Sequence, residues 1–509
     1  MYMGTNVVYY YRKGGFLMLG KWTSQSEYQK FVEENLLNIS KTDPQRVFEY
    51  QDVISKLYVL NLDKLQKIML PLYSDIGRPA ELQPEIFRSF VAMSELDFTL
   101  DNWIAKLQNN GVLRTAIGVT EDSIPSASSH YDFINRIIDM DERPKIRLKK
   151  RKPTERLDKN AKMPNKNPGV VQRLVGKILC GRRFNFRPER HLQKIFADVC
   201  VASSRDLGII PNEVDVSGDG TCIETGASHY GRKICDCVEF QCDCPRKFSD
   251  PNATWGWDSH NERYFYGYTG YFISTYIRDL NADLPLCLRL VQANRHDSVS
   301  AVVTLAEFRD LYPDLTIKTF IHDSACDNYP TYELLDRWNI AAIIPLNEKN
   351  NGNFKYPQHL SIDENTGTPI CPGGNDMVKY GWCPKKHATK WRCPRVLGKP
   401  CKSCVNCSPS PYGRVIYIKS DWDLRLFTKI PRGSTKWKLK MKSRTSVERI
   451  NNRILHDYGI EDAKTRGKKR ISFAVTIAAF NIHLDVQVDV LYASGQFDFN
   501  SLFIHNIAA

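Results

Sequence analysis

After Phe196 the hydrophobic pattern changes period, and this change restricts the fold more than any other feature of the chain. Val214 and Val216 alternate with Asp215, Ser217 and Asp219, the pattern of a strand with one polar face. Residues 264–277 form a second, aromatic β-rich run. In 285–291, Leu286, Leu288 and Leu290 alternate with Cys287 and Arg289, giving a third strand. Residues 301–312 then read as a helix, 315–321 as a fourth strand, 332–338 as a helix, and 340–345 as a fifth, fully apolar strand. Three consecutive strands followed by strands that alternate with helices predict an α/β core with a mixed five-stranded sheet. Residues 444–456 read as a late helix with Val447, Ile450 and Ile454 on one face.

Residues 22–140 have a different period. Asp43-Pro44 reads as an N-cap with proline at the first helical position. Val47, Val53, Ile54, Leu57, Leu60 and Leu65 continue a helical spacing to Met69. Gly77-Arg78-Pro79 is a breaker, Gln83-Pro84-Glu85 opens a new helix, and Ile124-Pro125-Ser126 starts another. An all-helical N-terminal domain is expected. No run approaches 18 uninterrupted apolar residues, so no membrane-spanning helix is expected, and neither is a signal peptide.

The formal charge is 71 − 57 = +14. From 141 to 195 there are 18 Lys/Arg against five Asp/Glu, so this segment alone carries +13. Its densest part includes Lys149, Lys150, Arg151 and Lys152, followed by prolines at 153, 164 and 168. The segment reads as a linker or extended arm. A phosphate-tracking role would neutralise its self-repulsion; a plain solvated linker and a nuclear import signal are the alternatives.

Asp219 follows the first strand, Asp323 follows the fourth, and Glu448 lies one turn into the late helix, four residues after Arg444. Carboxylates at strand ends with small neighbours can converge at one edge of an α/β sheet. Oxygen donors of this kind suit Mg²⁺ or Mn²⁺ rather than zinc.

An ordered set of short motifs runs through the chain. It comprises Val216-Ser-Gly-Asp219-Gly-Thr221, Tyr266-Gly-Tyr268, Ala293-Asn-Arg-His296-Asp297-Ser298, Ile321-His-Asp323-Ser-Ala325 and Arg444-Thr-Ser-Val-Glu448-Arg449. With Gly77-Arg78-Pro79 and Leu107-Gln-Asn-Asn110 before it, the set resembles the DDE transposases of bacterial insertion sequences over most of 75–485. The resemblance implies a ribonuclease H-like catalytic core, two Mg²⁺ or Mn²⁺ ions and a helical end-binding or dimerisation domain. It further implies cleavage at terminal inverted repeats with strand transfer into target DNA, in a homodimer or larger complex in the bacterial cytoplasm. By position, Asp219, Asp323 and Glu448 are the catalytic, metal-binding triad, with Asp215 a rival for the first place and Asp327 for the second. Arg444 matches the arginine of the Tyr-Arg-Glu-Lys signature, but Met441 stands at the tyrosine position and Leu455 at the lysine position. Arg449 or Arg453 would replace that lysine at DNA. A related nuclease or resolvase, or an inactive DNA-binding remnant, are the alternative functions. The expected order is a helical domain over 22–140, a basic arm over 141–195, the core in two parts, 205–347 and 421–490, and a Cys-rich insertion over 348–420 before the last catalytic helix.

The chain has 15 cysteines, an odd number that argues against a disulfide framework. Cys401-x2-Cys404-x2-Cys407, with Cys393, has a spacing suited to structural Zn²⁺. The earlier pairs, Cys235-x-Cys237 and Cys242-x-Cys244, are less typical of zinc. Reduced thiols in loops are the alternative at both places. Trp382 and Trp391 are candidates for core packing or for stacking on an unpaired base.

Overall fold

The computed structural model describes residues 17–147, 168–182, 184, 187–239, 242–259, 261–348, 354–398, 407, 408, 410 and 413–504. Lys149, Lys150, Arg151, Lys152, Cys401 and Cys404 lie outside them. The chain forms two compact units. One runs to Asp141, resumes over Arg187–Leu207 and takes in the chain from Phe473 onward; the other comprises Glu142–Phe186 and Gly208–Ser472.

The first unit is helical apart from a short parallel pairing of Leu17–Leu19 with Arg78–Ala80. Ser24 closes a capping box on Gln25–Ser40, and Asp43 caps Pro44–Phe48 through the Arg46 N–H at 3.1 Å. The helix expected to continue to Met69 is instead three, Pro44–Phe48, Gln51–Val59 and Asp63–Met69. Leu60 and Leu62 are both buried; two positions apart, they cannot share one helical face, so the chain leaves the helix to bury both. Gln83–Glu95 and Ala127–Ile137 begin where the proline signals place them.

The long helix Lys468–Ala493 contributes to this unit from Phe473 on. Phe473 meets Phe90 and Phe480 meets Phe87 edge-on, at 4.6 and 5.1 Å between centroids. By length and composition this helix passes for a membrane span, yet 78% of its apolar window is buried inside the protein. A helix apolar on every side has no amphipathic period, which is why the pattern of the sequence does not reveal it.

The second unit is mixed α/β. Its six-stranded sheet comprises β1 (Glu213–Glu224), β2 (Thr254–Asp258), β3 (Arg263–Ile277), β4 (Ala282–Gln292), β5 (Thr316–Ile321) and β6 (Ala341–Ile343). The order is β6-β5-β1-β3, and the far edge of β3 is shared by β4 and β2. β6, β5 and β1 are parallel; β3 runs antiparallel to β1, β2 and β4. Five of these strands are those expected; β2 adds a sixth. Helices α1 (Asp297–Leu311) and α2 (Tyr329–Arg337) flank β5 in the chain, and α3 (Thr435–Lys442) and α4 (Thr445–Asn452) follow later.

The ends of the basic segment are not an extended arm. Lys145–Arg147 pairs with Arg246–Phe248. Val170–Leu179 forms a helix whose Val175 packs with Val302 of α1 and Leu334 of α2. Val171, Leu174, Val175 and Ile178 supply an apolar face at helical spacing, which the surrounding charge obscures. Likewise, the region after 348 has more regular structure than expected. Val378–Cys383, Ala388–Arg392 and Val415–Ile418 form an antiparallel sheet. It covers a core of Ile362, Cys371, Met377, Trp391, Ile418, Leu426 and Phe427, which extends past the expected boundary at 420.

Candidate active site and thiol cluster

β1 and β5 lie side by side and parallel, with Ser217 opposite Ile321. Two residues beyond this pair, Asp219 continues within β1, while Asp323 lies just past the end of β5 and caps the turn Ser324–Cys326; the two carboxylates are close enough for their charges to act on each other. α4, which carries Glu448, packs over β1, β3 and β4. Its Asn451 side chain donates to Asp219 at 3.3 Å, and its Ser446 meets Ser274 of β3 at 3.3 Å. The helix bearing the third carboxylate is therefore held against the strand bearing the first.

A fourth carboxylate joins them. Asp297, the first residue of α1, sits so close to Gly220 that a Cβ there would meet its Oδ1 at 2.5 Å. Burial pushes the Asp219 carboxyl up to about 6, with the charges of Asp297 and Asp323 adding to the rise and those of His322 and Arg444 opposing it. Burial likewise raises Asp297. Burial also works to raise Asp323, but the His322 Nδ1 hydrogen bond at 2.7 Å and the Ala325 N–H at 2.9 Å hold it below the ordinary carboxylate value. His296 caps α1 through the Ser298 N–H, so the His296-Asp297 motif splits: a cap and a member of the acidic site.

Crowded hard oxygen donors are chemically suited to a divalent cation. However, among the described residues these carboxylates do not form a group whose oxygens all lie within 4.8 Å of one another. Glu448 is turned to Arg444, and Asp323 to His322.

The two rival aspartates are otherwise engaged. Asp215 accepts from Thr319 Oγ1 at 2.6 Å and pairs with Lys440. Asp327 is buried and bound by Arg425 through Nε at 2.9 Å and Nη2 at 2.7 Å. Asp215 lines an open cleft of roughly 390 Å³ together with Ser217, Tyr276, Arg278, Lys436 and Lys440. The expected DNA-contacting arginines carry carboxylate partners: Arg444 has Glu448, Arg449 has both oxygens of Asp283, and Arg453 has Asp457.

No protein-family model matches the chain, and no curated protein does.

The cysteines gather at the earlier of the two expected places. Cys235, Cys237, Cys242 and Cys244 put all four sulfurs within 4.8 Å of one another, a set that could hold a metal such as zinc. Of the later set, Cys393 is buried, Cys407 is half-buried, and Cys401 and Cys404 lie outside the described residues. Two Cys-x-Cys pairs bring four sulfurs together as well as Cys-x2-Cys spacing does, because the short strands on either side pair. Trp391 belongs to the core of its sheet, whereas Trp382 is exposed. Asp297 and Asn451 join the acidic site without having been assigned to it by the sequence; Asp297 stood inside one of the short motifs and Asn451 two residues after another.

Proposed function

We propose that the chain is a DNA transposase that cleaves at the ends of a mobile element and joins them to target DNA. The observation that carries this reading is the approach of Asp219, within β1, and Asp323, just past the end of the neighbouring parallel strand β5, with the helix of Glu448 tied to Asp219 through Asn451. The β6-β5-β1-β3-β4 order, three antiparallel strands followed by two parallel ones, supports a ribonuclease H-like core. In this reading Asp219, Asp323 and Glu448 hold two Mg²⁺ or Mn²⁺ ions, and Asp297 adds negative charge beside them. Such ions activate a water or a 3′-hydroxyl and stabilise the leaving oxygen of a phosphodiester. The cleft lined by Arg278, Lys436 and Lys440 opens beside β1 and suits a phosphate backbone.

Asp219→Asn and Glu448→Gln test the assignment. Each should abolish Mg²⁺-dependent DNA cleavage while leaving DNA binding and thermal stability near those of the parent. If both cut like the parent, the triad is wrong. Cleavage without joining of 3′ ends to a second duplex would instead identify a nuclease on the same core.

A further inference from the structure

Between Thr225 and Asp250 the chain leaves the sheet and returns. The excursion is pinned at its neck, where Asp250 accepts from Thr225 Oγ1 at 2.8 Å, from Tyr268 Oη at 2.5 Å and from the Gly467 N–H at 3.0 Å. Midway, Arg232–Lys233 pairs with Arg246–Phe248, a ladder of two residue pairs. Beyond that pair, 234–245 has no strand or helix among its described residues, and Val238 is fully exposed. So short a ladder does little to order a tip by itself, and among the described residues of the tip Ile234 and Val238 are exposed rather than packed, so they do little to offset its ordering entropy.

Four sulfurs meet at this tip. Cys235 and Cys242 are 3.4 Å apart, and Cys237 and Cys244 are 3.5 Å apart. A disulfide needs about 2.05 Å. Four thiolates around one tetrahedral ion, with metal–sulfur bonds of about 2.3 Å, lie about 3.8 Å from one another. The observed set, all within 4.8 Å, matches that arrangement. Four thiolates on a divalent ion carry a net −2; Arg232, Lys233, Arg246 and Lys247 on the two strands beneath set four positive charges against Asp236, Glu239 and Asp243 of the tip. Lys233 donates to the carbonyl oxygens of Cys237 and Glu239, bracing the backbone between the sulfurs.

We propose that Cys235, Cys237, Cys242 and Cys244 bind one Zn²⁺, a structural centre that orders the 234–245 tip and is separate from the acidic site. All four ligands come from the chain and no position is left open, as in structural rather than catalytic zinc sites. The centre does not depend on the chain being a transposase.

The test uses the full chain purified from zinc-supplemented cells. Metal analysis of Cys235→Ser/Cys244→Ser should show one equivalent of zinc fewer than the parent, while Cys401→Ser/Cys404→Ser leaves this ion in place. Co²⁺ exchanged into the Cys401→Ser/Cys404→Ser protein should give the sulfur-to-cobalt charge-transfer band and the intense visible bands of a tetrahedral thiolate site. Should the first variant fail to fold, alkylation of the parent decides. With zinc bound, the four thiols should be protected from iodoacetamide, and a chelator should expose them. Full-rate alkylation of these cysteines in the zinc-loaded protein, unchanged zinc in the first variant, or two disulfides in the freshly purified chain would each overturn the proposal.

Discussion

Asn451 donates to Asp219 across 3.3 Å and sits three residues after Glu448, one turn along the same helix face. One side-chain amide thus links the strand and the helix that carry two members of the proposed triad. Asn451→Leu removes the link while keeping an apolar contact with the sheet. Hydrogen bonds to charged groups contribute about 1.5–3 kcal/mol, so the rate of Mg²⁺-dependent DNA cleavage should fall roughly ten- to a hundredfold. Half-maximal cleavage should need more Mg²⁺, and the melting temperature should change little. An unchanged Mg²⁺ dependence would reduce Asn451 to a packing residue.

Asp327 and Asp323 are four residues apart yet should respond to mutation in opposite ways. The Asp327–Arg425 pair is buried on both sides. Removing one partner of such a pair leaves an uncompensated charge and costs about 3–5 kcal/mol. Asp327→Ala should therefore lower the unfolding midpoint of the second unit by several degrees. Asp323→Asn, at a half-exposed position whose oxygen can still accept from His322 and Ala325, should lower that midpoint less than Asp327→Ala and remove cleavage. Equal effects of the two variants on stability would remove the distinction drawn between them.

The alternation of Val214 and Val216 with Asp215, Ser217 and Asp219 made β1 legible, and with it the level at which Asp219 ends up. Of the other four expected strands, residues 285–291 showed the same alternation, while the rest were legible as runs of strand-forming residues, the fifth of them fully apolar. β2 was not, because Trp255 and Trp257 on this edge strand are exposed and the pattern lacks an inward apolar set. Lys468–Ala493 was missed for the opposite reason, being apolar on all sides. Within the acidic site, Asp219 and Asp323 announced themselves as strand-end aspartates, although Asp219 proves to lie in the middle of β1; Asp297 read as part of a loop capping the next helix, and Asn451 carried no signal of its own. Their placement depends on how α1 and α4 cross the sheet, which no local pattern encodes. The thiol cluster was legible as a zinc candidate, but as the less favoured of two, since its Cys-x-Cys spacing does not show that the pairing of Arg232–Lys233 with Arg246–Phe248 folds the two pairs together.

Trp382 and Trp391 lie on paired strands, yet only Trp391 is in the core. Trp391→Ala should destabilise the protein by about 3–5 kcal/mol. Trp382 is exposed, and nearby Arg392 stacks on Tyr380 at 3.4 Å from the ring centroid. Aromatic rings beside cations are the usual platform for unpaired bases, with each stacked base contributing about 1–3 kcal/mol. Trp382→Ala should weaken binding of single-stranded DNA roughly five- to a hundredfold and leave the unfolding midpoint unchanged. Fluorescence anisotropy with a labelled oligonucleotide measures the first, and thermal unfolding the second. Unaltered single-strand affinity would remove Trp382 from the DNA interface.

His130 should make the helical unit sensitive to acid. It is fully buried, and burial lowers its pKa below the usual 6.5. Its Nδ1 faces the Ser126 carbonyl oxygen at 2.8 Å, which can only accept, so Nδ1 carries the proton of the neutral ring. Nε2 then accepts from Ser89 Oγ at 2.8 Å, while Ser89 Oγ itself accepts from Trp103 Nε1 at 2.7 Å. Protonating Nε2 would aim a second donor at an oxygen that already accepts one, and would leave the serine proton without its partner. The unfolded chain therefore takes up a proton near pH 6.5 that the folded unit resists. The stability this histidine confers is complete above pH 6.5, declines as pH falls toward its folded-state pKa, and then levels off. Urea unfolding between pH 7.5 and 5 should show this decline, and His130→Gln, though less stable overall, should show a shallower one. Parallel pH profiles for the two proteins would mean that His130 is not the group responsible.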